Sequence, residues 1–600
     1  MAAADHTQST RVVGLLAVGV AAAVLLPACD RDWNAREREQ LREALEDLQA
    51  AAPPAPPAAD QLPPPLKPPA EDEAGEIRLD LFDAIRLALA HNQDIQVAGY
   101  EPLRAEADIV EARAVYDPTV VASNRFGRDK SPISSTLDTG AVNDEALTRD
   151  TWEFSGGLQQ RLPTGGIFRI TQAMDYLDSN SQFTVPNPQY ESGLTFEVNQ
   201  PLLKNFGDPE ARAAIRVATL AAGVSLHEFR RQVMAVVTEV TRAYWQLAFD
   251  RRTVEILHES HEAALEVLRR EKIRAERGVS NALNIARAAS AAASRHVQLV
   301  RTETGARDAA DRLKRLLAAP SLPVQGTADL VPVQRPRFFL VDADRTASMA
   351  QALTHRPELV RARRLIEINR IRVDAADRQR LPKLDALLRY TLNGLGNDLG
   401  GAMDMQDFRD PVTWVGGLEL EWPLGNRAAR AEYRRRRIEY EQTLLQTDRL
   451  TDEILEEVSV AVRAVQRGRA EVESTLQARQ AAAEVLAGEQ TRLELQPMDR
   501  RTNEELLRAQ DTLAQTRQDH LLALLNFNLA LTEWARARGT LLAERGVEVV
   551  WAREDRPGRL VPVAADLPEA ARPEDEADPD GGAPPDPAGA VVLPDTPAAD

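Results

Sequence analysis

The chain has 600 residues and a mass of 66.1 kDa, which is several times what one compact domain needs. Its 73 lysines and arginines against 92 aspartates and glutamates give a net charge of −19, which argues against a general nucleic-acid binder, because such proteins need a basic surface. A mean hydropathy of −0.35 excludes a bundle of transmembrane helices, and the single cysteine excludes an intramolecular disulfide and a zinc site with four cysteine ligands.

The first predicted element is an export signal. Arg11 precedes an apolar run over residues 12–26, and small residues follow up to Cys29. The run is shorter than the roughly 20 residues that span a bilayer, which favours a cleaved signal (1–28) over an uncleaved anchor. The segment Leu26-Pro27-Ala28-Cys29 resembles the bacterial lipobox, which implies that Cys29 becomes the lipid-bearing first residue of the mature protein. Asp30 resembles an inner-membrane retention signal of enteric bacteria, so the destination membrane stays open.

Two segments without a packed core flank the middle of the chain. Residues 29–76 contain a short charged helix candidate and then a tether rich in proline and alanine. Residues 551–600 are rich in Pro, Ala, Asp and Glu, which predicts a disordered acidic tail. The folded protein is therefore predicted between these two segments.

The folded part contains one unit twice, which decides how its elements are interpreted. Two pairs of matched positions have the same offset, and a third pair has a shorter one, which indicates an insertion in the first copy. The repeats are predicted over residues 77–330 and 331–550. The matched pairs are His91 with His355, Pro118 with Pro382, and Pro201 with Pro423.

Each copy has the same predicted order of helix, strands, long helix and return helix. In the first copy, a helical pattern over residues 81–116 gives way to alternation, which is clearest at Leu194–Asn199. The second copy alternates in the same way at Leu418–Trp422. The insertion predicts a β-hairpin over residues 152–176, with its turn at Leu162–Gly166. The first copy would then have four strands and the second copy two.

Two helices are predicted to be unusually long, over residues 208–276 and 426–495, which is on the order of 100 Å each. Their apolar residues step by three and four, as in the seam of a coiled coil. Return helices over residues 281–319 and 503–542, together with the helices before the strands, have the length needed to cover them. The seam residues are Leu226, Phe229, Val233, Val236, Val240, Ala243 and Leu247 in the first copy, and Ile454, Val458, Ala461 and Val465 in the second.

The strands alternate apolar with charged residues, which suits an antiparallel sheet with one wet face or a transmembrane barrel. Six strands are too few for a closed channel, and a sheet edge cannot stay unpaired at membrane depth, so such a barrel would be shared between subunits. Glu197, Glu419 and Glu421 would then face the lumen and favour cations slightly. The extra hairpin allows two arrangements in a trimer: eighteen barrel strands, or twelve with the hairpin folded outside.

The duplicated order resembles the TolC-like outer-membrane efflux proteins over about residues 77–545. Other parts of the resemblance are the lipobox, Gln200-Pro201-Leu202-Leu203, Arg277-Gly278-Val279-Ser280 and Leu524–Ala530. It implies a mainly α fold with a transmembrane β-barrel contribution, in which duplicated helix-strand-strand-helix-helix units form a trimeric α-helical tunnel and a shared barrel. The implied function is the passive exit duct of a tripartite efflux pump or type I secretion system, and the implied location is the bacterial outer membrane, with most of the mass in the periplasm. The implied partners are a periplasmic adaptor (membrane fusion) protein and an inner-membrane transporter.

The resemblance also implies roles for the two tips where long helices reverse. The first tip, Arg277-Gly278-Val279-Ser280, matches the place where an adaptor docks, and its glycine suits a tight reversal. The second tip lacks the glycine, and the adaptor contact there would be Arg501 and Thr502. Asp499 and Arg500 are candidates for the charged ring that narrows a closed tunnel, although Asp499 could equally cap a turn.

Other signals point away from catalysis. His258 and His261 are three residues apart on a predicted helix, but His261 falls on the apolar seam, so packing is preferred over metal binding. The basic run Arg434–Arg437 points in several directions around a helix, which predicts a solvated surface. We find no phosphate-binding loop, dinucleotide fingerprint or nucleophile elbow, so neither an enzyme activity nor a cofactor is expected beyond the lipid on Cys29. The main alternative function is a periplasmic coiled-coil lipoprotein scaffold or adaptor.

Overall fold

The structure is a computed structural model and describes residues 76–564, apart from 134, 136–145, 279, 327, 407, 409–410, 496–501 and 552–559. The predicted signal peptide, Cys29, Asp30 and the tether up to residue 75 therefore lie outside the described residues, as do residues 565–600 of the predicted tail. Among the helices that are described, none is both long and apolar enough to cross a membrane.

The first repeat forms the elements predicted for it, with a break in its first helix at Asn92. In chain order these are β1 (Glu76–Leu79), α1 (Leu81–His91), α2 (Gln93–Ala98), α3 (Glu101–Arg113) with a 3₁₀ turn at Ala114–Tyr116, β2 (Thr119–Pro132), β3 (Ala146–Arg161), β4 (Ile167–Ser179), β5 (Gln189–Pro201), α4 (Pro209–Glu276) and α5 (Ala282–Leu317).

The second repeat follows the same order without the hairpin. Its elements are β6 (Asp329–Pro332), α6 (Arg345–His355), α7 (Pro357–Arg378), β7 (Lys383–Gly396), α8 (Leu399–Asp404), β8 (Val412–Glu421), α9 (Arg427–Leu495), α10 (Thr502–Arg538), α11 (Leu541–Glu544), β9 (Val547–Trp551) and β10 (Leu560–Ala564). Helix α10 ends before the predicted Leu542, because Gly539 turns the chain with a φ of +77°.

Six strands form one antiparallel sheet in the order β2-β3-β4-β5-β7-β8, four from the first repeat and two from the second. This confirms the predicted hairpin, which is β3 and β4. Trp152 lies opposite Tyr176, and Leu158 lies opposite Ile170, so the predicted apolar residues of both strands share one face. Every neighbouring pair in this sheet is antiparallel.

The predicted coiled-coil seams are the interiors of two hydrophobic clusters. One cluster joins α1, α4 and α5 and contains all the predicted seam residues of the first copy, with Leu226 at its partly buried margin. The other joins α9 and α10 with α6 and contains all four predicted seam residues of the second copy. The fold therefore consists of two helical hairpins, α4-α5 and α9-α10, each completed by the shorter helices of its own or the other repeat.

Matched positions of the two repeats make the same kind of contact. Asn92, at the break between α1 and α2, is buried and donates from Nδ2 to the carbonyl oxygen of Leu316 at 2.8 Å, in the last turn of return helix α5. Its counterpart Arg356 is also buried and donates from Nη1 to the carbonyl oxygen of Arg536 at 3.3 Å, in the last turn of return helix α10. Each contact satisfies a helix-end carbonyl that has no partner within its own helix.

The structure corrects the predicted start of the acidic tail. Strands β9 and β10 pair antiparallel, so residues 560–564 form a strand inside the segment 551–600 for which composition predicts disorder. The reason is local: Leu560-Val561-Pro562-Val563 is a run with high β propensity in a segment that is otherwise acidic and rich in proline.

Candidate functional site

The six-stranded sheet has one mainly apolar face, whose four charged residues lie together at its loop end: Arg128, Lys130, Asp150 and Asp178. Residues with even numbers share this face, because each paired register joins even positions to even positions. Several of them are strongly exposed, including Phe126 at 78%, Trp414 at 71% and Leu418 at 71%. The apolar residues of the face are Val120, Ala122, Phe126, Trp152, Phe154, Leu158, Phe168, Ile170, Met174, Tyr176, Tyr190, Leu194, Phe196, Val198, Leu384, Ala386, Leu388, Tyr390, Leu392, Val412, Trp414, Leu418 and Leu420.

Aromatic side chains cross the apolar face in one row near its loop end. Phe126, Trp152, Tyr176 and Tyr190 lie directly opposite one another on strands β2 to β5. The ring centroids of Phe126 and Trp152 are 6.4 Å apart, and those of Tyr176 and Tyr190 are 5.0 Å apart. Such rows are typical of the two boundaries between lipid and water in membrane-spanning strands.

The opposite face of the sheet is polar, which agrees with the alternation in the sequence. It carries eight acidic and six basic residues in the strands that the structure describes. The acidic residues are Asp129, Glu153, Asp175, Glu191, Glu197, Asp385, Glu419 and Glu421, and the basic residues are Arg125, Arg149, Arg161, Arg169, Lys383 and Arg389.

Glu197 lies on this polar face, but it is not a free negative charge. Its carboxylate accepts from Arg169 Nη1 at 3.0 Å and from Arg389 Nε at 2.8 Å, and its side chain is only 15% exposed. Arg169 comes from the inserted hairpin and Arg389 from the second repeat. The two guanidinium groups offset the negative charge of Glu197, so the predicted cation preference should depend less on Glu197 than on an unpaired carboxylate.

Glu419 and Glu421 also lie on the polar face and are exposed, on edge strand β8. Glu421 Oε2 is 3.9 Å from Lys383 Nζ, and Glu419 lies opposite Asp385 on β7. These two glutamates, with Asp385, make the end of the sheet nearest the long helices acidic.

One acidic rung, which is a row of residues directly opposite one another on neighbouring strands, was missed by the sequence analysis. Glu153, Asp175 and Glu191 lie directly opposite one another on β3, β4 and β5, and Arg125 of β2 continues the same rung with its Nη1 3.6 Å from Glu153 Oε2. Like charges placed directly opposite one another destabilise a sheet, so this rung lowers the stability of the sheet. The signal in the sequence is that all four residues have odd numbers, but only the register shows that they are neighbours.

The first helical tip has the predicted tight reversal. Helix α4 ends at Glu276, Gly278 has a φ of +79°, and Asn281 caps α5 by accepting from the backbone N–H of Asn284 at 3.0 Å. Ser280 Oγ donates to the buried carboxylate of Glu271, which braces the turn against α4. Arg277 and Gly278 are exposed at the end of the hairpin, while Val279 lies outside the described residues.

Little of the second tip belongs to the described part of the chain. Helix α9 ends at Leu495 and α10 begins at Thr502. Asp499, Arg500 and Arg501 lie outside the described residues, so their suggested roles in adaptor contact and tunnel constriction stay predictions.

Near the tips, a buried arginine joins the two hairpins. The side chain of Arg295, on α5, is 5% exposed, and its Nη2 and Nε donate to Asp511 Oδ1 of α10 at 2.6 and 2.9 Å. Its Nη1 donates to the carbonyl oxygen of Ser260 on α4 at 2.9 Å, and Nη2 donates to that of Leu507 on α10 at 3.2 Å. In the sequence, Arg295 follows the helical spacing of Ala288, Ala292 and Leu299, which places it on the apolar seam of a return helix. This spacing is the signal that the sequence analysis missed.

Two pairs of surface charges also bridge the hairpins around Arg295. Arg287 of α5 lies 3.4 Å from Glu504 of α10, and Arg517 of α10 lies 2.9 Å from Glu259 of α4. All four side chains are at least 42% exposed, so each pair is worth at most about 1 kcal/mol. Arg295 is therefore the principal polar connection between the hairpins in this region.

The residues set aside on sequence grounds have ordinary structural surroundings. His261 is half-buried, its Nδ1 lies 3.2 Å from the carbonyl oxygen of Ala292, and its ring is 5.1 Å from that of His296. His258 is exposed. Within the described residues, no group of histidines, cysteines and carboxylates is arranged to hold a metal ion. In the Arg434–Arg437 run, Arg436 and Arg437 pair with glutamates of their own helix at 2.9 to 3.1 Å, as expected for a solvated surface.

Comparison with solved structures finds the same fold in outer-membrane channels. The Campylobacter jejuni CmeC outer membrane channel has a TM-score of 0.58 and 14% identity, over 77% of this chain and 86% of that one. The outer membrane protein VceC of Vibrio cholerae has a TM-score of 0.55 and 17% identity, over 76% of this chain and 96% of that one. The Neisseria gonorrhoeae MtrE outer membrane channel in its open state has a TM-score of 0.54 and 14% identity, over 77% and 89%.

Comparison of sequences gives an independent result. No curated protein matches the chain. Residues 84–319, which run from α1 to the end of α5, match the family described as Outer membrane efflux protein. This match and the shared fold confirm the resemblance to outer membrane efflux proteins that the duplicated order predicted.

Proposed function

We propose that this protein is a trimeric outer-membrane channel and the passive exit duct of a tripartite efflux pump or a type I secretion system. The observation that carries the proposal is a sheet with one apolar and one polar face, attached to two helical hairpins on the order of 100 Å long. Such a sheet suits a wall between lipid and water, and such hairpins suit a conduit through the periplasm. Substrates pass through this conduit without chemical change.

Assembly follows from the open edges of the sheet. A single subunit supplies six strands, and a sheet within a bilayer must have its edge groups paired, so neighbouring subunits complete one barrel. Cys29 carries the lipid that anchors the N-terminus in the outer membrane, and the tether after it leads to β1. Most of the mass then lies in the periplasm.

Partner contact is assigned to the helical tips. Arg277 and Gly278 are exposed at the end of α4 that is far from the sheet. The segment Arg277-Gly278-Val279-Ser280 docks a periplasmic adaptor protein, which connects the duct to an inner-membrane transporter. Arg501 and Thr502 have the same role at the second tip. Asp499 and Arg500 narrow the closed tunnel beside them.

The alternative function, a soluble periplasmic scaffold, fits the sheet poorly. It would leave the whole apolar face in water, including Trp414 and Leu418 at 71% exposure each. Soluble proteins rarely expose contiguous apolar patches beyond a few hundred Å². A scaffold would need a second layer over this face. Among the described residues, the short helix α8 lies against it, where Ser192 Oγ donates to the carbonyl oxygen of Ala402 at 2.7 Å, and the ring of Phe408 lies 6.4 Å from that of Tyr390, but these contacts cover a small part of the face.

The test is the size and mass of the detergent-extracted protein, measured with density-gradient separation of the inner and outer membranes from the same cells. We expect a heat-labile trimer in the outer-membrane fraction. A variant with Cys29→Ala should lack the mass of the lipid and should be less firmly attached to the outer membrane. A monomer that needs no detergent, or a protein confined to the inner membrane, would refute the proposal and indicate that Asp30 acts as a retention signal.

A further inference from the structure

The inserted hairpin β3-β4 is an integral part of the sheet, and its position has a consequence for the channel. We infer that three copies of the six-stranded sheet close one eighteen-stranded barrel, in which β8 of each subunit pairs with β2 of the next. The inference rests on the proposed function, because it describes how that channel is closed at the membrane.

The hairpin lies inside the sheet and not beside it. Strand β2 pairs with β3 over fourteen positions, from Thr119 with Gln159 to Pro132 with Ala146. Strand β4 pairs with β5 from Ile167 with Asn199 to Leu177 with Gln189. No register pairs β2 with β5 directly in the described sheet. Removing the hairpin from the barrel would therefore break two long ladders, each of which satisfies backbone groups that lipid cannot.

The turn of the hairpin and the residue before it are bonded to the end of β5 and to the cap of the long helix α4. Gln200 Nε2 donates to the carbonyl oxygen of Thr164 at 3.0 Å, and Arg161 Nη2 donates to Asp208 Oδ1 at 2.7 Å. Asp208 is fully buried and accepts from Ala211 N–H at 3.4 Å as the cap of α4. At Gly165, with a φ of +85°, a Cβ would clash with the carbonyl oxygen of Asn205. The hairpin is thus built into the junction between the sheet and the helices.

The chemistry of both faces continues across the hairpin without a break. On the apolar face, Trp152 and Tyr176 complete the aromatic row between Phe126 and Tyr190. On the polar face, Arg169 of β4 shares Glu197 with Arg389 of β7. A hairpin folded into the lumen would place its apolar face against water or the polar wall. A hairpin folded onto the outside would place its polar face against lipid or the apolar wall.

The two open edges of the sheet are suited to each other. With an even number of strands that all alternate in direction, β2 and β8 run in opposite directions, so β8 of one subunit meets β2 of the next as an antiparallel neighbour. Both edge strands carry apolar residues on the same face, such as Val120 and Leu418, so a joined sheet keeps one continuous apolar surface. The occupant of each open edge is therefore a second copy of this chain.

The ends of the strands have the stagger that a barrel requires. The rung that begins at Thr119, the first residue of β2, runs through Arg169 and Arg389 and ends at Val415 of β8. Strand β8 then continues past this rung to Glu421, which is six residues further. The sheet end therefore steps by about six residues, or about 20 Å, over five strand spacings of about 24 Å in total. If this end lies parallel to the membrane, the strands tilt by about 40°, within the range of about 35–45° found in transmembrane barrels.

Eighteen strands make a wide exit. At a tilt of about 40° and a spacing of about 4.8 Å, the backbone circle of the barrel has a diameter of about 36 Å, against about 24 Å for twelve strands.

The test uses images of the detergent-extracted trimer, in which barrel strands can be counted, for the full chain and for a variant without the hairpin. In that variant, Ala146–Pro188 are removed and Glu145 is joined to Gln189, so β2 can pair with β5 in the antiparallel sense. We expect eighteen strands and a diameter of about 36 Å in the full chain, and twelve strands and about 24 Å in the variant. A full-chain trimer with twelve strands overturns the inference and leaves the proposed function intact, whereas the absence of a trimer overturns the proposed function itself.

Cysteine pairs provide a second readout that does not depend on the deletion variant folding. The hydroxyl oxygens of Ser123 and Ser155 are 2.8 Å apart across β2 and β3, so Ser123→Cys with Ser155→Cys should form a disulfide on oxidation. The matched control is Ser123→Cys with Gly193→Cys, which are on one rung but on β2 and β5. These two meet only if the hairpin leaves the sheet, so a disulfide in the control and none in the first pair would overturn the inference.

Discussion

Replacing Arg295 with methionine should loosen the connection between the two helical hairpins near their tips. The substitution keeps most of the buried stem and removes the guanidinium group that donates to Asp511, to Ser260 and to Leu507. Hydrogen bonds to charged groups contribute about 1.5–3 kcal/mol each, and the buried guanidinium group makes several of them. Because Asp511 is 63% exposed and water can solvate it afterwards, no buried charge is left unpaired, and a net loss of about 3 kcal/mol from these hydrogen bonds is expected.

The assay is amide hydrogen exchange over residues 506–513 of α10, which contain the buried side chains of Leu506, Ala509 and Leu513. Opening of this segment exposes its amides, and a loss of about 3 kcal/mol speeds their exchange about a hundredfold. The control is Arg517→Met, which removes an ion pair with Glu259 between the same hairpins, but an exposed one. Its effect should be about fivefold or less.

A particular result would refute the reasoning. If Arg295→Met accelerates exchange no more than Arg517→Met does, the burial of Arg295 adds nothing to its ion pair, and the hairpins are held together by apolar packing alone. Exchange in α4 near Ser260 should rise together with that in α10, because Arg295 also bonds its carbonyl oxygen.

The remaining predictions concern protonation, the tip glycine and the lumen. Burial, with nearby arginines, lowers the pKa of His227 to about 4. The stability that its neutral form contributes is therefore present above about pH 6.5 and is lost as the pH falls. Between pH 7 and 5, the free energy of unfolding measured with urea should fall by about 2 kcal/mol more in the native chain than in His227→Gln. Gly278→Ala should lower thermal stability by about 1 kcal/mol because of its positive φ, whereas Gly305→Ala, in the middle of a helix with open space around it, should raise it by about 0.5–1 kcal/mol; equal signs would contradict this. Both Glu197→Gln and Glu419→Gln should shift the reversal potential of single channels toward anions. Only Glu197→Gln should also make the trimer less heat-stable, by about 2 kcal/mol, because two arginines lose a charged acceptor and one of its two oxygens.

Much of the local structure could be predicted from the sequence. The period of the apolar residues predicted both long helices and their seams, and alternation predicted the inserted hairpin and the faces of its strands. The duplication was visible in matched positions, and Asn92 and Arg356 do make matched contacts. These features depend on residues that are near one another in the chain, so short-range periodicity is enough to reveal them.

Other features follow only from which distant segments meet. Glu197 is 28 residues from Arg169 and 192 from Arg389, and Arg295 is 216 from Asp511, so no local pattern identifies these partners. The sequence therefore indicated that Glu197 is a charged residue on the polar face of its strand, but not that two arginines compensate its charge. The periodicity of the chain determined what each helix and strand is, and which of its faces is apolar. Strand order and register, which depend on backbone pairing over long separations, determined that the hairpin lies within the sheet and which charges neutralise one another.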